Sequence, residues 1–118
     1  MAENDRRDPV DRRPLRPVEF QILVLLADGA KHGWAILQRA EDGGRAVPGI
    51  ATLYRTLQRL ETDALIERRR DLEDDEDRRR VYDLTPAGRA AASAEARRLD
   101  TLLGVARSAR LLDEPDAG

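Results

Sequence analysis

The sequence predicts a mostly α-helical chain with one small β-hairpin, an α+β domain of modest size. Three observations carry that expectation. Leucines and isoleucines recur at i, i+3/i+4 and i+7 in short windows separated by glycines, the spacing that lines one face of a helix. Two runs holding β-branched and aromatic residues flank an acidic tip at residues 71–77, as the strands of a hairpin would. A longer Ala/Leu stripe then fills residues 86–112. At 118 residues the chain has room for one domain. Only 3% of it is aromatic, so its core must be built from Leu, Ile, Val and Ala.

Residues 1–16 mix Asp, Glu, Arg and Pro without apolar periodicity and read as a disordered, solvated arm. Pro17 suits a first helical turn, where its missing N–H costs nothing. Glu19 in that turn complements the helix dipole. Phe20, Leu23, Val24 and Ala27 form the stripe of the first helix, with Gly29 as its stop. Ile22, Leu25 and Leu26 make it apolar over most of its girth, which calls for neighbours or a partner chain around it. A second short helix follows Lys31 and His32, with Ala35, Ile36, Leu37 and Ala40 inward and Gly43 and Gly44 ending it.

The third helix lies within residues 47–66. Leu53, Leu57 and Leu60 make its buried face, while Thr52, Arg55, Gln58 and Arg59 project from the other side. That polar face suits a DNA major groove: Arg forks onto guanine, Gln pairs with adenine, and a Thr methyl meets the thymine methyl. The bland alternative is an ordinary surface helix. Leu65 to Arg70 and Arg78 to Leu84 are expected as the hairpin strands. Thr85 then caps a final helix that has Pro86 at its first position. Helix, turn, helix and β-hairpin, in that order, make a winged helix-turn-helix domain, here residues 17–85. The last helix, residues 86–112, carries Ala92, Ala96, Leu99, Leu102, Leu103 and Ala106 along one seam. A small domain has no second surface to cover such a seam, so a partner's helix is expected there, making it a dimerisation helix. Residues 113–118 read as a disordered tail.

Composition excludes several functions. Without cysteine there is no disulfide framework, thiolate metal site or cysteine nucleophile. His32 is the only histidine; alone it cannot assemble a metal centre, and nucleophilic catalysis lacks its parts. Neither an enzyme nor a resident cofactor is expected. No apolar run reaches membrane-spanning length and no secretory signal opens the chain, so a cytoplasmic location is expected. The net charge is −2, yet five cations face two acids between Lys31 and Arg59. Placement matters more than the sum.

The stretches EFQILVLLADGAKHGWAI, GIATLYRTLQRLETDALIERR and RRRVYDLTPAGR resemble the PadR-type transcriptional regulators of bacteria. The resemblance spans residues 14–90 and rests on several motifs in the right order. It implies that residues 49–63 are the recognition helix and 65–84 the wing. It also implies dimerisation through the single C-terminal helix, as in the shorter subclass. Trp34 stands where the family's His-Gly is followed by Tyr, and Ala64 where Gly often precedes Leu-Ile.

The expected function is a dimeric, sequence-specific DNA-binding regulator, a repressor on a palindromic operator with half-sites about 34 Å apart. Arg55 and Arg59 lead the DNA-contact candidates, then Thr52 and Gln58. Tyr54 is assigned to a phosphate, as are Lys31 and His32 at a helix entry. Arg79 and Arg80 are phosphate candidates on the wing, with cross-strand ion pairing as the competing role for the wing arginines. The acids of the wing tip would repel phosphates. Phe20 and Trp34 are the only large apolar walls for a small apolar effector, if the regulator takes one. The alternative is a winged-helix module that binds protein and not DNA.

Overall fold

In the computed structural model, residues 14–42, 49–73 and 80–113 are described. Helix α1 (Pro17–Leu26) is followed by a short strand β1 (Lys31–His32), then α2 (Gly33–Asp42) and α3 (Ile50–Thr62). Strand β2 (Ile66–Arg68) leads into a 3-10 turn (Arg70–Leu72); β3 (Val81–Leu84) and α4 (Pro86–Ser108) complete the chain. The α+β expectation is met.

Ile22, Leu23 and Leu26 of α1, Ile36 of α2 and Leu53, Leu57 and Leu60 of α3 meet in one core, closed by Leu65, Ile66, Tyr82 and Ala91. Each fully buried Leu or Ile contributes about 1.5–3 kcal/mol. Helix α1 is the central element, touching α2, α3, β3 and α4, which explains its apolar girth. None of the described helices is long and apolar enough to cross a membrane.

Four sequence expectations need correction. The sheet has three strands, ordered β1-β3-β2 and antiparallel throughout, not two. Lys31 pairs with Tyr82 and His32 with Val81, so these two residues, expected at the entry of the second helix, form a strand before it. Two residues are too few for the alternation that betrays a strand. Second, residues 14–16 are not part of a solvated arm. Leu15 is buried, and its N–H donates to Glu95 Oε1 at 3.2 Å. Third, β2 ends at Arg68, short of Arg70. Fourth, α4 stops at Ser108, four residues before Leu112. Arg110 turns the chain with φ of 64°, and Leu111 N–H donates back to Ala106 O, the Schellman closure of a helix end. The expected glycine stop after α2, the acids and arginines of residues 74–79, and the remainder of both termini lie outside the described residues.

The exit of α3 makes, without glycine, the turn that glycine usually makes. Ala64 takes the left-handed conformation, φ 63°, without being glycine. Its N–H donates to Glu61 O at 3.0 Å, and that of Leu65 donates to Leu60 O at 2.9 Å. Leu60 and Leu65 are both fully buried, the apolar contact that accompanies this closure. Packing of that pair outweighs the cost of a Cβ in left-handed backbone.

Candidate nucleic-acid interface

Helix α3 is entered through its N-cap Gly49, which has φ of 61° and whose carbonyl accepts from Leu53 N–H. Burying Leu53, Leu57 and Leu60 forces the opposite face outward, so Tyr54, Arg55, Gln58 and Arg59 are exposed together on one helix. Thr52 organises the first turns. Its carbonyl accepts from Thr56 Oγ1 at 2.8 Å, and its hydroxyl accepts from Arg55 Nη2 at 3.2 Å. The sequence-selected reading residues therefore share one surface.

Each flank of α3 carries a different neighbour. On one side Tyr54 lies over Gly33, the first residue of α2. A Cβ there would be 3.0 Å from the Tyr54 ring and 3.1 Å from its hydroxyl oxygen. On the other side an open groove of about 600 Å³ separates α3 from the start of α1; Thr52, Arg55, Arg59 and Thr62 face Arg16 and Val18 across it.

The other candidates are distributed unevenly. Lys31 is half-committed already, because its ammonium donates to Asp28 Oδ1 at 2.7 Å with the side chain only 11% exposed. That contact holds the Asp28 carboxyl below its usual range. His32 is partly buried, and its ring stacks near Trp34 with centroids 6.3 Å apart. Trp34 is 45% exposed. Phe20 sits elsewhere, in an apolar groove of about 510 Å³ between α1 and α4 lined also by Val24, Leu25 and Leu99. Trp34 is not among the residues of that groove, so the two effector candidates do not share it.

On the wing, ion pairs claim two arginines. Arg68 makes a forked pair with Glu73 at 2.7 and 2.8 Å, and Glu73 Oε2 also accepts from Val81 N–H at 3.0 Å. The guanidinium and that amide hold the Glu73 carboxyl at about 2. Arg69 bridges Asp71 at 2.7 Å and Asp83 at 3.1 Å. Arg70 and Arg80 stay exposed, and the Arg80 carbonyl accepts from Gly33 N–H, joining the wing to α2. Arg79 lies outside the described residues. No group of three metal-ligating side chains occurs among the described residues.

Along α4, Ala91 and Glu95 face the core. Glu95 is paired with Arg98, an acid that the apolar seam concealed from sequence reasoning. Of the seam residues, Ala92 and Leu99 are partly buried, whereas Leu102 and Leu103 are 51% and 44% exposed.

Three helices around a short sheet, with a β2–β3 hairpin beside an exposed polar third helix, define a winged-helix protein of the regulatory kind. The family model of the PadR-like transcriptional regulators matches residues 22–94. The chain belongs to the PadR-like family of transcriptional regulators and is not an enzyme. It is 43% identical over 86 residues to the transcriptional regulator Rv3488 of Mycobacterium tuberculosis, covering 72% of this chain and 78% of that one. A PadR family regulator from Clostridium difficile shares the fold with a TM-score of 0.68 at 20% identity, over 77% of this chain and 95% of that chain. A transcriptional regulator from Clostridium thermocellum gives 0.65 at 27% identity, over 77% and 87%.

Proposed function

We propose that this chain is a homodimeric repressor that binds a palindromic DNA operator through α3. The observation that carries the reading is the single exposed surface formed by Tyr54, Arg55, Gln58 and Arg59, with half-buried Thr52 at its edge, on a helix that buries Leu53, Leu57 and Leu60 on its other side. Arg55 and Gln58 have the donors and acceptor to address base edges, and Arg59 the donors to hold a phosphate beside them. Dimerisation through the α4 seam would set two such helices in successive major grooves. Lys31, His32, Arg79 and Arg80 are assigned to phosphates. An effector, if one is used, would be a small apolar molecule in the groove beside Phe20, whose mixed Leu, Val and Phe lining suits it. Trp34, stacked near His32, is then a reporter of DNA binding rather than a wall of that site.

Selection of duplexes from a random library by the full-length protein tests the reading. The expected winner is an inverted repeat, bound with affinity that falls steeply as salt rises. The second reading, a module that binds protein alone, is favoured by the acidic sequence pI of about 5.5 and by the ion pairs that occupy Arg68 and Arg69. Failure to enrich any duplex, with no salt-dependent DNA binding at low ionic strength, would overturn the repressor reading in favour of that module.

A further inference from the structure

We propose that Arg16 is a DNA-phosphate anchor, gripping the backbone ridge on the flank of α3 opposite Tyr54 and Gly33. The inference deepens the DNA-binding reading and rests on it. An α-helix with its side chains is about 10–12 Å across, and the major groove is about 12 Å wide. A helix seated there therefore has a phosphate ridge along each flank. One flank of α3 is bordered by the β1–α2 junction, through the Tyr54 contact on Gly33. The other is bordered by the open groove whose far wall is the first turn of α1, led by Arg16.

The groove wall has the composition such a ridge needs. Thr52, Arg59 and Thr62 are spaced i, i+7 and i+10, one flank of the helix, and Arg55 reaches the same space. Arg16 faces them and is exposed. Among the described residues, the only carboxylate lining the groove is Glu19, which is 1% exposed and accepts the Arg16 N–H at 2.8 Å. The accessible rim is thus cationic while the acid is covered.

Arg16 is also held where a flexible arm residue would not be. The preceding residue, Leu15, is buried and bonded to Glu95 of α4. On the following side, the Arg16 carbonyl accepts from Phe20 N–H at 2.9 Å, inside the first turn of α1. The chain is therefore fixed on both sides of an exposed arginine that lines the groove beside α3. An arginine fork in that position matches two oxygens of one phosphate.

The test uses the full-length protein, the selected operator duplex and the variants Arg16→Ala and Arg16→Lys, with Arg59→Ala as reference. The bonds that fix the backbone at Arg16 are made by main-chain atoms, so both variants should fold; matching far-UV spectra and melting curves check this. Arg16→Ala should weaken binding on the order of tenfold. It should also reduce the log-affinity against log-salt slope by about 0.9 for each phosphate that is no longer neutralised, with the preferred sequence unchanged. Arg16→Lys should keep the slope. Neutral methylphosphonates placed along the operator should reveal one linkage that weakens the parent and leaves Arg16→Ala indifferent. Parent-like affinity and slope in Arg16→Ala, while Arg59→Ala loses affinity, would overturn the anchor and leave the DNA-binding reading intact. A changed base preference in Arg16→Ala would overturn it in favour of base reading. Absence of DNA binding by the parent itself would remove both.

Discussion

Gly88, in the first turn of α4, lies so close to Leu65 that a Cβ on it would sit 2.0 Å from the Leu65 carbonyl oxygen. The contact locks the exit of α3 to the start of α4. Thr85 completes the junction: its hydroxyl donates to Ala64 O at 2.7 Å and accepts from Gly88 N–H at 2.9 Å, while its own N–H donates to Leu65 O. Backbone, not a pliable side chain, meets the added carbon, so neither helix can yield without moving the other.

Gly88→Ala is therefore expected to cost about 3 kcal/mol or more, at the upper end of overpacking effects. Urea denaturation of parent and variant measures it. Gly104, with nothing among the described residues near its Cβ position, is the control: Gly104→Ala should stabilise its helix by roughly 0.5–1 kcal/mol. Equal effects at the two positions would refute the junction's role.

Ala64→Gly should stabilise the protein by about 0.5–1 kcal/mol. Removing the Cβ relieves left-handed strain of about 1–2 kcal/mol, part of which returns as the greater unfolded-state freedom of glycine. The Schellman hydrogen bonds to Glu61 and Leu60 are main-chain and survive the change. Thermal melts should move upward, and a fall in the midpoint would contradict the strain at this exit.

Much of this arrangement was legible in the sequence because its causes are local. The spacing of Leu53, Leu57 and Leu60 fixed which face of α3 turns inward, and Thr85-Pro86 marked the start of α4. What escaped depends on contacts far along the chain. Lys31 and His32 become a strand only because Tyr82 and Val81 arrive beside them. Arg16 sits in a stretch of Arg, Pro and Asp that reads as a tail; Glu95, 80 residues later, pins its neighbour Leu15. The periodicity of α4 runs on into Leu111 and Leu112, and nothing local announces the turn at Arg110. The role of Arg68 could not be read from its charge, because the pairing depends on which way the 3-10 turn carries Glu73.

Glu73 makes the base of the wing acid-sensitive. Its carboxyl is depressed from 4.5 to about 2 by the forked pair with Arg68 and by the Val81 amide. A depressed pKa adds stability above pH about 4.5, and that contribution is lost as the pH falls through about 2. The Val81 amide resonance should report a transition centred near pH 2, absent in Glu73→Gln. A midpoint at the ordinary carboxylate value would mean that the pair does not form in solution.

Arg55 and Arg59 should differ from each other in a readable way. Arg55 is already oriented by Thr52, whereas the Arg59 side chain, which lines the groove with Arg16, is held by no such bond among the described residues. Arg55→Ala is expected to cost about 1–3 kcal/mol in operator affinity and to relax preference at a defined base pair. Thr52→Ala should reproduce part of that loss by freeing the guanidinium. Arg59→Ala should weaken all sequences alike and reduce the salt slope by about one. Library selections on the three variants separate these outcomes; the same relaxed base position in all three would reject the division of roles.

The α4 seam should decide the oligomeric state. Leu102 and Leu103 are 51% and 44% exposed in the single chain, and the seam continues beside them with Leu99 and Ala106. Covering the remaining area of each leucine is expected to contribute about 1 kcal/mol. Four such side chains, two from each protomer, would add about 4 kcal/mol, near a thousandfold in the dimer dissociation constant. The double variant Leu102→Asp/Leu103→Asp adds buried charge to that loss, so it should be monomeric at micromolar concentration by sedimentation equilibrium. Leu72, 49% exposed on the wing turn, provides the control: Leu72→Asp should remain dimeric. Operator affinity should fall with the dimer, because the second half-site is then no longer held at high local concentration. A full-length parent that sediments as a monomer would reject the seam as the interface. So would a dimeric double variant with operator affinity unchanged.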